Sequence, residues 1–146
     1  MRLILSFCLA LLLAIPAVLA ADTAAQPVPK ARPIFFARGS TSGTAGGHVM
    51  RGDRDLYSLS AAKRQILTVT VTAPDNNAVF QIYEPGTQVR RAPDGSLEFV
   101  GKALPAADSG NDATRWSSRL PRTGTYLIVV GSTRGNARYS IDVKVE

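Results

Sequence analysis

The sequence predicts an all-β protein, an antiparallel β-sandwich of jelly-roll-like type with about eight short strands. Apolar residues recur with a period of two rather than 3.6, and the alternating runs are short. Between them stand Gly, Pro, Asn and Asp, the residues that set turn geometry. No sustained helical stripe interrupts the series, so the βα alternation of a parallel sheet is absent.

The chain opens with Arg2 and an apolar run from Leu3 to Leu19, closing on Val18-Leu19-Ala20. A positive start, an apolar middle and small residues at the end predict a signal peptide over residues 1–20, cleaved after Ala20. A spanning helix needs about 20 apolar residues, and Pro16 interrupts this run, so no membrane anchor is expected after cleavage. Cys8 is the only cysteine. With it removed, the exported chain has neither a disulfide nor thiol chemistry and rests on its core alone.

Residues 21–33 are rich in Ala and Pro, with Pro27, Pro29 and Pro33 closely spaced, and read as a flexible, extended lead. A single domain is expected over 34–146. Strands are expected at Asp55–Ala61, Ile66–Thr72 and Ala78–Tyr83, then through Tyr126–Val130 and Tyr139–Val145. The clearest is Ile66–Thr72, where Leu67, Val69 and Val71 face one way and three threonines the other. Turns fall at Pro74-Asp75-Asn76, Glu84-Pro85-Gly86, Pro93-Asp94-Gly95, Asp108-Ser109-Gly110 and Thr123-Gly124. Residues 87–113 read as a long loop in which Leu97, Phe99 and Leu104 make a short strand or a turn of helix.

Four motifs have a functional and a structural reading. Leu120-Pro121-Arg122-Thr123-Gly124 matches a sortase signal, but no spanning segment with a basic tail follows it, so a turn into a strand is expected. Arg51-Gly52-Asp53 matches an adhesion tripeptide and is equally ordinary hairpin chemistry. Gly39 to Gly47 is Gly-rich but lacks the Lys-Ser/Thr ending of a phosphate loop, and reads as a flexible hairpin connection. His48 is the only histidine; zinc needs three or four ligands, and no nucleophile motif surrounds any serine, so no metal, cofactor or catalytic residues are expected. Asp75, Asn76 and Asn77 fit a turn better than a calcium site. The formal charge of +6 is scattered over pairs and single positions, which points away from nucleic acid; most of these residues read as ordinary solubility charge, the alternative partners being anionic polysaccharide, a membrane surface or an acidic patch on another protein.

Several segments taken in order carry a family likeness. Phe36-Ala37-Arg38-Gly39 precedes Val49 to Tyr57, then come Ala61-Ala62-Lys63-Arg64-Gln65 and Asn77-Ala78-Val79-Phe80. The end runs Leu120-Pro121-Arg122-Thr123-Gly124-Thr125-Tyr126 and Thr133-Arg134-Gly135-Asn136-Ala137-Arg138-Tyr139. Over residues 34 to 146 this resembles the periplasmic inhibitors of g-type lysozyme, β-sandwich proteins similar to the bacterial pre-peptidase C-terminal domains. The resemblance implies a non-enzymatic inhibitor whose partner is a g-type lysozyme. It assigns Arg134, Arg138 and the turn of Thr123, Gly124 and Tyr126 to the enzyme's carboxylate-lined cleft, where guanidinium groups fork onto carboxylates. Thr123 stands where the family commonly has Ser. The alternative reading is an envelope-binding module of the pre-peptidase type, recognising glycan or another exported protein.

Overall fold

The computed structural model describes residues 26–146; the signal segment expected over residues 1–20, with its cut after Ala20, lies outside the described residues. Ten strands follow one another: β1 (Arg32–Pro33), β2 (Ser42–Val49), β3 (Asp55–Ala61), β4 (Ile66–Thr72), β5 (Ala78–Tyr83), β6 (Gln88–Arg91), β7 (Leu97–Val100), β8 (Arg115–Arg119), β9 (Gly124–Ser132) and β10 (Ala137–Val145). One sheet has the order β1-β3-β9-β5 and the facing sheet β2-β10-β4-β8, with β6 and β7 as a separate hairpin. Only β1 pairs in parallel, against β3; every other ladder is antiparallel. The all-β sandwich read from the alternation is the architecture observed.

The period of two builds the core directly. Tyr57, Phe80, Ile82, Tyr126, Ile128 and Val130 point inward from one sheet, and Leu67, Val69, Trp116, Tyr139, Ile141 and Val143 meet them from the other. In β9 the intervening residues are apolar too, because its outer face is also covered. The β6–β7 hairpin lays Val89 and Phe99 over Leu56, Tyr83 and Val129, and Phe99 stacks on Tyr83 with ring centroids 5.3 Å apart. The stretch 87–113 is therefore a hairpin with a connecting loop, and Leu97 and Phe99 lie in its strand β7. Leu104, buried in the main core, belongs to the loop that follows.

The structure corrects the Gly-rich segment. It is no flexible connection but β2, an edge strand paired with β10 from Ala137↔Val49 to Lys144↔Ser42. Glycine hides the alternation yet serves it, because two inward positions have no room for a side chain. A Cβ on Gly43 would stand 2.7 Å from Phe36, and one on Gly47 would stand 2.5 Å from the Asp55 carboxylate and 2.6 Å from the Tyr139 hydroxyl. Gly47→Ala is expected to lower stability by about 1–3 kcal/mol through overpacking, read as a drop in the urea midpoint at unchanged slope.

The lead ends earlier than expected. Arg32 and Pro33 pair with Tyr57 and Ser58, and the Arg32 side chain closes a polar cluster at that edge. Its Nη2 donates to Tyr57 OH at 2.8 Å, lies 3.2 Å from Asp55 Oδ2, and its guanidinium sits over the Tyr57 ring. Tyr139 OH donates to Asp55 at 2.5 Å, which makes Tyr57 the donor in the 2.7 Å contact between the two phenols. Burial is the first cause raising both phenols above their ordinary value of 10.0.

Candidate functional site

Three connections meet at the end of the sandwich where β9 turns into β10, and one side chain clips them together. Asn77 follows the β4–β5 turn and is buried. Its amide nitrogen donates to the carbonyls of Arg134 at 3.0 Å and Asn136 at 2.9 Å. Asn136 in turn accepts from the Arg51 backbone at 2.9 Å through its side chain. Ser132 Oγ donates to Gly135 O, closing the β9–β10 hairpin from within. A loop whose backbone groups are satisfied in this way is held in one conformation before any partner arrives.

On this platform Arg134 and Arg138 are exposed. Arg134 donates through Nη2 to the Asp75 carbonyl at 2.6 Å, which aims its guanidinium across the end of the sheet. Arg138 is the second residue of β10 and faces out beside its register partner His48. Arg51, from the tripeptide considered as an adhesion motif, is exposed on the neighbouring turn. It is a third guanidinium that the sequence reading did not assign to this end.

The turn of Thr123, Gly124 and Tyr126 is not part of this platform. It lies at the opposite end of β9, a nine-residue strand spanning roughly 27 Å at about 3.3 Å per residue. The two turns lie at opposite ends of the sandwich. Tyr126 is fully buried. Its OH donates to Arg122 O at 2.6 Å and accepts from Arg122 N at 3.2 Å, the geometry of a tyrosine corner. Burial raises its phenol as well. Thr123 accepts from the Lys63 backbone at 2.9 Å, and Gly124 packs against Pro85. Leu120, the first residue of the sortase-like motif, is buried in the core. These residues are scaffold by position, and only Thr123 is exposed at the surface.

His48 lines a cavity of about 340 Å³ together with Asp53, Asp55, Arg91 and Ser96. A serine, a histidine and carboxylates thus share one concavity without the hydrogen bonds of a triad. Ser96 Oγ donates to Asp94 at 2.6 Å, and Asp55 accepts from Tyr139.

No protein-family model matches the chain, and no curated protein matches its sequence. Solved structures do match. The periplasmic inhibitor of g-type lysozyme from Aeromonas hydrophila, PliG, is 26% identical with a TM-score of 0.58, over 80% of this chain and 96% of its own. The fold is that of the periplasmic g-type lysozyme inhibitors. The Salmonella Typhimurium inhibitor aligns at 21% identity and TM-score 0.56, over 82% of this chain and all of its own. A mutant of the Escherichia coli inhibitor aligns at 22% and 0.54, again over 82% of this chain and all of its own. The likeness read from the sequence segments is therefore present in three dimensions, and it covers the sandwich rather than one loop.

The clip that Asn77 makes is not legible in the sequence, because its partners are 57 and 59 positions away in the chain. Asn77→Ala removes both bonds and leaves the carbonyls of Arg134 and Asn136 without their donor. The expected cost is about 1–3 kcal/mol, with hydrogen exchange at the β9–β10 hairpin accelerated more than in the core strands.

Proposed function

We propose that this chain is an exported, non-enzymatic inhibitor of g-type lysozyme, acting in the periplasm after cleavage following Ala20. The observation that carries the reading is the alignment with the Aeromonas hydrophila inhibitor over nearly all of that protein's length. The inhibitory end is the β9–β10 hairpin. Arg134 and Arg138 present exposed guanidinium groups from a loop clipped by Asn77, as a plug for a carboxylate-lined groove requires. Thr123 and Gly124 do not share that footprint. Tyr126 acts only by holding its own corner.

The Arg134–Arg138 loop is held in place before a partner arrives, and its exposed guanidinium groups suit the carboxylates of a lysozyme groove better than a neutral sugar chain. Two assays separate the readings: inhibition of a g-type lysozyme, and sedimentation with purified peptidoglycan in the absence of enzyme. An inhibitor suppresses lysis and stays in the supernatant. Co-sedimentation without suppression of lysis assigns the chain instead to the envelope-binding modules.

A further inference from the structure

The end of the sandwich away from the Arg134 platform carries most of the molecule's net positive charge. Seven of the chain's 17 basic residues lie there against two of its 11 acidic ones, so five of the formal +6 charges belong to this end. Four loops supply them. Arg38 comes from the β1–β2 connection, Lys63 and Arg64 from the β3–β4 hairpin, Arg119 and Arg122 from the β8–β9 turn, and Lys102 from the loop after β7. Lys144, near the end of β10, completes the set. Both carboxylates are already engaged: Glu84 is buried between Lys102 at 3.3 Å and Arg122 at 3.9 Å, and Glu146 pairs with Lys144 at 2.8 Å. Arg38, Lys63, Arg64 and Arg119 have no carboxylate within salt-bridge distance among the described residues.

Two of these positions are tied together. Arg64 holds a left-handed backbone, with φ of 76°, at the tip of its hairpin. Arg119 Nη1 donates to the Arg64 carbonyl at 3.2 Å, tying two of the loops together. Two exposed apolar side chains belong to the same end. Ile66, at the start of β4, is 39% exposed, and Phe35 is 80% exposed. The parallel register of β1 on β3 carries Phe35 level with Ser60, one residue before β3 ends. Phe35 therefore lies at the rim of the basic end.

We infer that this end docks the protein onto an anionic phospholipid bilayer. The charges are spread over four loops at one end of the sandwich rather than gathered on one projecting loop, as contact with an extended anionic surface requires. Basic residues next to an exposed aromatic and an exposed aliphatic are the pattern of peripheral membrane association, in which cations meet headgroup phosphates and the apolar tips enter the interface. No helix among the described residues is long and apolar enough to cross a membrane, and the inferred attachment is peripheral and reversible. Docked this way, the molecule points its Arg134 platform away from the bilayer. The inference goes beyond the inhibitor reading, and its test is independent of it.

The test is partition of the exported protein onto vesicles of phosphatidylethanolamine containing phosphatidylglycerol, against vesicles of phosphatidylcholine. Binding to the anionic vesicles only, weakening as salt rises, is expected. Each neutralised cation lowers partition about fivefold, so Lys63→Gln/Arg64→Gln/Arg119→Gln together lower it on the order of a hundredfold, and Phe35→Ser lowers it further. Arg51→Gln/Arg134→Gln/Arg138→Gln, at the other end, leaves it unchanged. A thermal midpoint near wild type shows that each variant is folded. Equal binding to both vesicle types, no binding to either, or wild-type partition by the folded triple variant overturns the inference. So does a triple variant that loses lysozyme inhibition when the wild type ignores both vesicle types, since that result assigns the basic end to an acidic protein partner.

Discussion

Arg134→Ala/Arg138→Ala is expected to raise the concentration needed for half-inhibition of a g-type lysozyme on the order of a thousandfold, with little change in melting temperature. Interface arginines that fill a desolvated groove contribute about 2 kcal/mol or more each on truncation, and about 4 kcal/mol together is three powers of ten. Stability is spared because both side chains are exposed and the hairpin is closed by Asn77 and Ser132 rather than by the guanidinium groups. Arg134 gives up a single bond to the Asp75 carbonyl, worth about 1 kcal/mol at an exposed site. A large fall in melting temperature together with lost inhibition would make the arginines scaffold. Unchanged inhibition in a folded double variant would move the inhibitory end elsewhere.

The second large effect is alkaline unfolding. All four tyrosines of the chain are raised above 10.0, with burial the first cause in each. For Tyr139 the hydrogen bond it gives to Asp55 adds to the rise. A phenol raised in the folded state stabilises fully while both states hold the proton, and that stabilisation falls once the unfolded chain ionises and the folded one does not. Stability is therefore expected to be level with pH up to about 10 and then to fall by about 1.4 kcal/mol per pH unit for each tyrosine. Four acting together make the decline steeper than any one of them alone would, until the folded phenols themselves ionise. Urea midpoints measured alongside phenolate absorbance check this. The phenolate band should appear only as the protein unfolds; phenolate forming at a constant midpoint would contradict the burial argument. Tyr83→Phe, which loses a 2.9 Å bond to Gln81, should reduce the slope by about a quarter.

Much of the fold was legible because its central strands alternate strictly. β3, β4 and β5 begin and end at the residues the alternation marks. β2 was hidden because close packing against Phe36 and Tyr139 requires glycine where a strand normally shows an apolar side chain. β8 was hidden because only Trp116 of its five residues points inward, so no alternation could form. The contacts that Arg32 and Tyr139 make in the Arg32, Asp55, Tyr57 and Tyr139 cluster join positions 23 to 107 residues apart, a distance no local pattern spans.

For the proposed site, the sequence reading joins two ends that the fold keeps apart. Thr123-Gly124-Thr125-Tyr126 stands out in the sequence for the sake of its corner: Tyr126 must reach back to Arg122. Arg134 and Arg138 stand out on a hairpin whose rigidity comes from Asn77, which by itself reads as a turn. Charge was legible as a total and not as a distribution, since the seven cations of the basic end come from segments scattered between Arg38 and Lys144.

Inhibition is read by titrating a fixed amount of g-type lysozyme with the folded protein while following lysis of a cell-wall substrate. Activity is expected to fall along a line reaching zero near one inhibitor per enzyme. Lysis proceeding unchanged at a stoichiometric excess of folded protein would contradict it.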